Sequence, residues 1–227
     1  LNIVAGNWQV STASTASPGA IGLGGSSLSQ AGNSVTGIMH LVMPPCFNFI
    51  GNSNLNGSIS GSTLKLTTSL AGGQALTVTL TGTEKLLTGT YSLSGGACGP
   101  PDQGTITLTF VPPSTGTWHG TLAAAGGGPV TQVTANVTQS GPDADGFFVL
   151  SGTATFSGSC LLSGTITGVA NGPVIGLFVA PNDLSISGEV RISGVLSDPA
   201  TATALSGVYV STESPCPGNG ASSLSKS

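Results

Sequence analysis

The chain states one pattern twice. Its two tryptophans stand in Gly6-Asn-Trp8 and Gly116-Thr-Trp118, and its two tyrosines in Leu87-Thr-Gly-Thr-Tyr91 and Leu205-Ser-Gly-Val-Tyr209. A cysteine follows each tyrosine at the same offset, Cys98 after Tyr91 and Cys216 after Tyr209. Duplication accounts for this recurrence. A copy of about 110 residues is the size of a domain and too long for one unit of a solenoid or propeller. The sequence therefore predicts two tandem domains, 1–110 and 117–227, with a linker at 111–116 whose two prolines restrict the backbone.

Within each copy the apolar residues alternate with Thr and Ser, as in Thr63-Leu-Lys-Leu-Thr67, Ala75-Leu-Thr-Val-Thr-Leu80 and Leu184-Ser-Ile-Ser187. A period of two marks strands buried on one side and wet on the other, and helix signals are nearly absent. The first copy reads as strands near 7–14, 20–30, 34–42, 55–60, 63–70, 75–82, 86–94 and 104–110. The second reads as strands near 117–124, 130–139, 147–156, 161–168, 173–180, 184–195, 204–212 and 219–225. Short Gly- and Asn-containing connections make sequential strands neighbours. The expected fold is all-β: two antiparallel up-and-down eight-stranded β-barrels, or barrel-like sandwiches, with no significant helix. Closure removes sheet edges that a chain with few charges has little means to guard.

Eight alternating strands place the loops after strands one, three, five and seven at one end. Cys46 and Cys98 fall in the loops after the third and seventh strands of the first copy, and Cys160 and Cys216 do the same in the second. That parity predicts one disulfide per domain, Cys46 to Cys98 and Cys160 to Cys216. It also points to an oxidising, extracellular or cell-surface location. A chain beginning at Leu1, with no signal peptide, fits an exported protein already trimmed. No apolar run reaches the length of a transmembrane helix.

Only 5% of residues are charged, and Lys65, Lys85, Arg191 and Lys226 are the whole basic inventory. Phosphate recognition needs a basic patch, so nucleic acid is excluded as a partner. With so few carboxylates to protonate, acid is expected to cost the fold little.

Candidate sites are sparse. Trp8, Trp118, Tyr91 and Tyr209 read as core residues of the barrels, the tyrosine hydroxyls being expected to find backbone partners. His40 and His119 have no matching counterparts between the copies, and no nucleophile, base and orienting acid recur together, so no catalytic residue and no enzyme activity is assigned. Asp143 and Asp145 echo the start of a calcium loop but lack the closing glutamate, which leaves a hairpin turn. No metal or cofactor is therefore expected. Asn56 and Asn136 match the glycosylation pattern, which arises often by chance in a Ser/Thr-rich chain.

The Gly-x-Trp on the first strand, the eight-strand count and the late Gly-x-Tyr together resemble calycin-type barrels, the lipocalin and avidin group. The fuller pattern, Gly6-Asn-Trp8-Gln9 with Cys46, Leu87-Thr-Gly-Thr-Tyr91 and Cys98, resembles exported, lipoprotein-like bacterial proteins of acidobacterial type. The resemblance implies the barrel fold and carries no activity. Two function classes follow. One is a non-enzymatic structural or adhesive protein of the cell surface or of an extracellular filament, self-assembling or associating with other surface components, with Leu1, Asn2, Ile3 and Val4 as the segment for strand exchange. The alternative is a calycin-like small-molecule binding barrel. Cavity volume separates the two.

Overall fold

The computed structural model describes residues 4–42, 53–70, 73–95, 100–143, 145–183, 185–197, 202–214 and 216–227. Among these residues the chain forms two closed antiparallel barrels of eight strands each and no α-helix. The first runs β1 (Gly6–Ser14), β2 (Ile21–Ala31), β3 (Ser34–Val42), β4 (Ser53–Ser60), β5 (Thr63–Ser69), β6 (Ala75–Gly82), β7 (Leu86–Leu93) and β8 (Asp102–Val111). The second runs β9 (Gly116–Ala124), β10 (Val130–Pro142), β11 (Phe148–Ser157), β12 (Gly164–Asn171), β13 (Val174–Pro181), β14 (Val190–Leu196), β15 (Ala204–Ser211) and β16 (Gly218–Lys226).

Each strand pairs with the next in sequence, and the last pairs back onto the first. In the first barrel β1 meets β8 with Trp8 opposite Phe110; in the second β16 meets β9 with Lys226 opposite Trp118. Closure rather than an open sandwich is the outcome, so neither barrel presents a free sheet edge.

Alternation sets which side chains go inside. Along β12 every second residue is buried, and along β5 Leu64 and Leu66 point inward while Lys65 and Thr67 point out. The first core gathers Trp8, Leu64, Leu66, Val78, Leu80 and Leu108. Trp118, Leu122, Phe148, Leu150 and Ile166 are among the buried residues of the second. At about 25 cal/mol per Å² of apolar surface removed from water, such interiors dominate the stability of barrels with so few charges.

Two compact units result, one centred on Leu1–Val111 and the other on Pro112–Ser140 with Phe148–Ser227. Pro112–Thr115, expected as linker, are not strand, and Ser114 is buried.

Several strand boundaries depart from the sequence reading: β10 runs on to Pro142 instead of 139 and β12 to Asn171 instead of 168, and two strands start three or more residues late. β14 begins at Val190 instead of 184. The alternation at Ser185 and Ile186 is overridden by the Asp183 carboxylate, which accepts the Ser185 N–H at 2.9 Å and its hydroxyl at 2.7 Å, while the Ile186 N–H bonds the Asp183 carbonyl. This local turn satisfies polar groups that a strand would have shared with a neighbour. β12 begins at Gly164 instead of 161, because 159–163 cross the end of the barrel.

Candidate functional site

The tryptophans fix one end of each barrel by the same device. Trp8 is 1% exposed, and its indole N–H donates to the Val4 carbonyl at 2.9 Å; the Val4 N–H donates to Gln30 Oε1 at 2.8 Å. In the second barrel the Trp118 N–H donates to the Ser114 carbonyl at 3.0 Å, and the Ser114 N–H donates to Gln139 Oε1 at 2.6 Å. The residue four before each tryptophan is thus held from both sides, by the indole and by a glutamine on the second strand. Gln30 and Gln139 carry no local motif, so sequence reasoning passed over them. The signal was their matching distance, 22 and 21 residues after the tryptophan.

The glycine of each Gly-x-Trp has a steric cause. Gly6 and Gly116 adopt φ of +135° and +147°, which L side chains rarely reach. A Cβ on Gly6 would lie 2.6 Å from the Phe110 ring, which meets Trp8 edge to face at 5.4 Å; one on Gly116 would lie 2.8 Å from the Lys226 side chain. Lys226 in turn donates to the Pro113 carbonyl at 2.9 Å, with its ammonium 6.0 Å from the Trp118 ring centre.

The tyrosines sit toward the opposite end. Tyr91 and Tyr209 lie in register with Gly104 and Gly220, and a Cβ on either glycine would press to 2.9 Å from the ring. The hydroxyl of Tyr91 departs from expectation, since its partner is a side chain. It donates to Asp102 Oδ2 at 2.7 Å, while Asp102 Oδ1 accepts the Ser14 hydroxyl at 2.7 Å and the Gln103 N–H at 2.8 Å. This carboxylate ties β1, β7 and β8 together. Burial, then the bond to Asp102, pushes the Tyr91 hydroxyl well above its ordinary pKa of 10.0. The second barrel lacks the tie: by strand register Gly218 stands where Asp102 does, and Ala124 where Ser14 does.

That end of the second barrel is closed by a covalent bond. Cys160, between β11 and β12, joins Cys216, between β15 and β16, with their Cα atoms 5.7 Å apart. The pairing and the loop parity are those expected. The companion bridge, Cys46 to Cys98, lies outside the described residues. Glu213 lies in the same loop as Cys216 and is 1% exposed. Its Oε2 accepts the Leu162 N–H at 3.1 Å from the facing loop, and its Oε1 has no partner. Burial pushes this carboxyl above its ordinary 4.5, the Leu162 bond opposing that only in part. Nothing in the sequence distinguished Glu213 from the other acids, because its burial depends on the two loops meeting.

The remaining candidates do not converge. His119 is exposed, with Nδ1 3.1 Å from the Thr134 hydroxyl. His40 is buried on β3, and neither ring nitrogen has a partner. Asp143 accepts the N–H groups of Asp145 and Phe147 through one carboxylate oxygen, a self-contained turn. Among the described residues no three His, Cys, Asp or Glu side chains gather where a metal ion could sit. Val4 belongs to the first core, and Leu1–Ile3 lie outside the described residues. No helix among the described residues is long and apolar enough to cross a membrane, which says nothing of a barrel.

Inside the second barrel the free space beside Trp118, Leu150 and Leu177 is about 10 Å³. On the first barrel two open hollows of about 400 and 490 Å³ share the rim residues Thr15, Ser92 and Gln103. Their walls include groups already engaged: the Thr15 hydroxyl donates to the Gln103 carbonyl at 2.8 Å, and both Asp102 oxygens accept bonds.

No family model matches the chain, and no curated protein does. Among solved structures, an AttH candidate from Nitrosomonas europaea is similar at 13% identity over 96% of this chain and 92% of that one, with a TM-score of 0.21. A likeness at that score leaves fold and function to be read from the chain's own geometry.

Proposed function

We propose that the chain is a non-enzymatic structural protein of the cell surface or extracellular space, a subunit that associates with copies of itself. The observation that carries this reading is how little space the second barrel leaves beside Trp118. A space of about 10 Å³ beside Trp118 holds at most about one water, whereas ligand pockets run from about 300 Å³ upward. A barrel of this type that packs its own side chains into its centre offers its outer surface instead. The disulfide across Cys160 and Cys216 is compatible with an exported protein. The scarcity of charge, a net −4 over 227 residues, leaves little repulsion between copies.

The titratable side chains support the non-enzymatic reading by their dispersal. Glu213 faces a backbone N–H, Asp102 holds three donors, and His119 meets a threonine hydroxyl; in none of these do a hydroxyl, a base and an orienting acid stand together. Sedimentation velocity over a wide concentration range tests the proposal. Reversible, salt-tolerant association is expected, because contacts without charge are not screened. A monomer at every concentration refutes it.

A second reading rests on the rim of the first barrel, where a hollow of about 490 Å³ is large enough for a small molecule. A thermal-shift screen with small polyols and sugars distinguishes the two: stabilisation that is lost in Gln103→Ala favours binding at this rim.

A further inference from the structure

The duplication supplies a comparison within the chain, because each outward position on one barrel has a register partner on the other. Tyr91 and Tyr209 anchor it. On the outer face of the first barrel Thr79, Thr90 and Thr105 stand in one row across β6, β7 and β8, and Thr77, Ser92 and Gln103 in the next. In the second barrel Val208 takes the place of Thr90, Val210 that of Ser92 and Ala221 that of Thr105. Thr and Val have nearly the same shape and both suit strands, so the fold accepts either. The scaffold therefore does not require the hydroxyls of the first barrel.

A second difference falls at the same place. The open hollow of about 400 Å³ on the first barrel is lined by those six residues, and Thr15, just past the end of β1, stands on its far side. Thr15 is held there, since its N–H and its hydroxyl both donate to the Gln103 carbonyl at 2.8 Å. One residue back, the Ser14 hydroxyl donates to Asp102 and accepts the N–H groups of Ala16 and Ser17 at 3.1 and 3.0 Å. The segment that walls the hollow is thus fastened to β8 by the carboxylate whose counterpart in the second barrel is Gly218. The floor is the reverse. Thr77, Thr79, Thr90, Ser92 and Thr105 form no side-chain hydrogen bond with the described residues, and Thr90, Ser92 and Thr105 are exposed. A fixed wall beside a floor of uncommitted hydroxyls is preorganised for a ligand that brings hydroxyls of its own.

We propose that this hollow binds a neutral carbohydrate, an uncharged oligosaccharide laid across β6 to β8 on the outer wall of the first barrel. The inference rests on the rim reading given above, extends that site from the rim onto the wall, and is independent of self-association. Charge sets the class. No charged side chain lines the hollow; Asp102 at the adjoining rim already accepts from three donors, and Lys65, in register with Thr79, lies outside the lining. An anion finds no cation to pair with there, and a cation no open carboxylate. Tyr91 is the one aromatic in the lining, with its ring buried and its hydroxyl taken by Asp102, so an aromatic or lipid-like ligand lacks the apolar wall that such pockets use. Threonine presents a hydroxyl and a methyl side by side, which suits the alternating O–H and C–H groups of a sugar ring. Strand spacing extends the row Thr79, Thr90, Thr105 over about 10 Å, the reach of two such rings. The second hollow continues from the first through Thr15, Ser92 and Gln103, so a longer chain keeps contact beyond the wall. Exposed hydroxyls must give up water to bind, so the affinity of one site is low and rises when a polymer meets many copies.

Isothermal titration calorimetry of the whole chain with cellohexaose, maltohexaose and mannohexaose, and with tetragalacturonic acid as the charged control, tests the site. At least one neutral hexasaccharide is expected to bind with a Kd in the millimolar range or below, and the acid is not. Thr90→Val combined with Thr105→Ala gives the first barrel the residues that the second already folds with, and both positions line the wall hollow but not the rim one. This double variant should keep the parent Tm within a few degrees and weaken binding at least about tenfold. Thr88→Val, one row outside the hollow, should leave binding unchanged. Binding that survives in the folded double variant but is lost in Gln103→Ala confines the ligand to the rim and overturns the wall site alone. Equal loss in Thr88→Val marks a general surface effect and overturns it too. Tighter binding of tetragalacturonic acid overturns a neutral ligand. A parent that binds none of the hexasaccharides overturns the inference; if glucose and glycerol also leave its Tm unchanged, the rim reading falls with it.

Discussion

Trp8 and Trp118 are each bound twice over, by packing and through the indole N–H, and the two contributions separate by substitution. Trp8→Ala and Trp118→Ala are expected to lose about 3 to 5 kcal/mol in their own barrels, the usual effect of emptying a large aromatic site. Gln30→Ala and Gln139→Ala should cost about 1 to 3 kcal/mol each, because the Val4 and Ser114 N–H groups would lose their acceptors in buried surroundings. Urea titration of each variant checks both figures; wild-type midpoints for the glutamine variants would show the clamp to be incidental. The tryptophans were legible because Gly-x-Trp is contiguous and rare. The glutamines were not, since their role exists only once β1 and β2, or β9 and β10, lie side by side. Val4 illustrates the same limit. The segment proposed for exchange ended on a residue that the fold uses, so a truncation meant to test exchange must stop at Ile3.

At the scale of elements, period-two alternation located every strand, because one wet face and one dry face impose it directly. It failed where side chains satisfied the backbone locally, as Asp183 does for Ser185, and where loops crossed a barrel end, as 159–163 do. Loop parity carried the pairing of Cys160 with Cys216, which closes 56 residues of chain. Constraining a loop of that length in the unfolded ensemble stabilises by about 4 kcal/mol on entropy arguments. Reduction, or the Cys160→Ser and Cys216→Ser double variant, should therefore lower the stability of the second barrel by about that amount. Guanidinium unfolding under reducing and oxidising conditions measures it, and equal midpoints would refute the estimate. The outward rows of Thr and Val were visible in the sequence as composition. Their correspondence between barrels was not, because it needs the register.

For the molecule as a whole, the response to pH follows from two groups, one in each barrel. Glu213 has its folded pKa raised by burial above its ordinary 4.5. Its contribution is fully present below that value and is lost as pH rises through the folded pKa, because the buried carboxylate must then carry its charge with one oxygen unpartnered. Tyr91 also has its folded pKa raised, by burial and by Asp102, above its ordinary 10.0. Stability from Tyr91 is complete below pH 10.0 and falls as pH rises beyond it, since the unfolded chain then gives up the proton that the folded chain retains. Asp183 shifts in the opposite sense through its bonds from Ser185, but it is fully exposed. Both buried shifts therefore favour the folded chain in acid over alkali. One tryptophan stands in each barrel, so Trp8→Phe leaves fluorescence from the second barrel and Trp118→Phe leaves it from the first. The second barrel should melt higher at pH 4 than at pH 7, a difference that Glu213→Gln abolishes. The first should lose Tm above pH 10, a loss that Tyr91→Phe reduces. A second barrel that melts lower in acid, with Glu213 intact, would mean that this carboxylate is hydrated in solution and that the loops joined by Cys160 and Cys216 do not seal the barrel end.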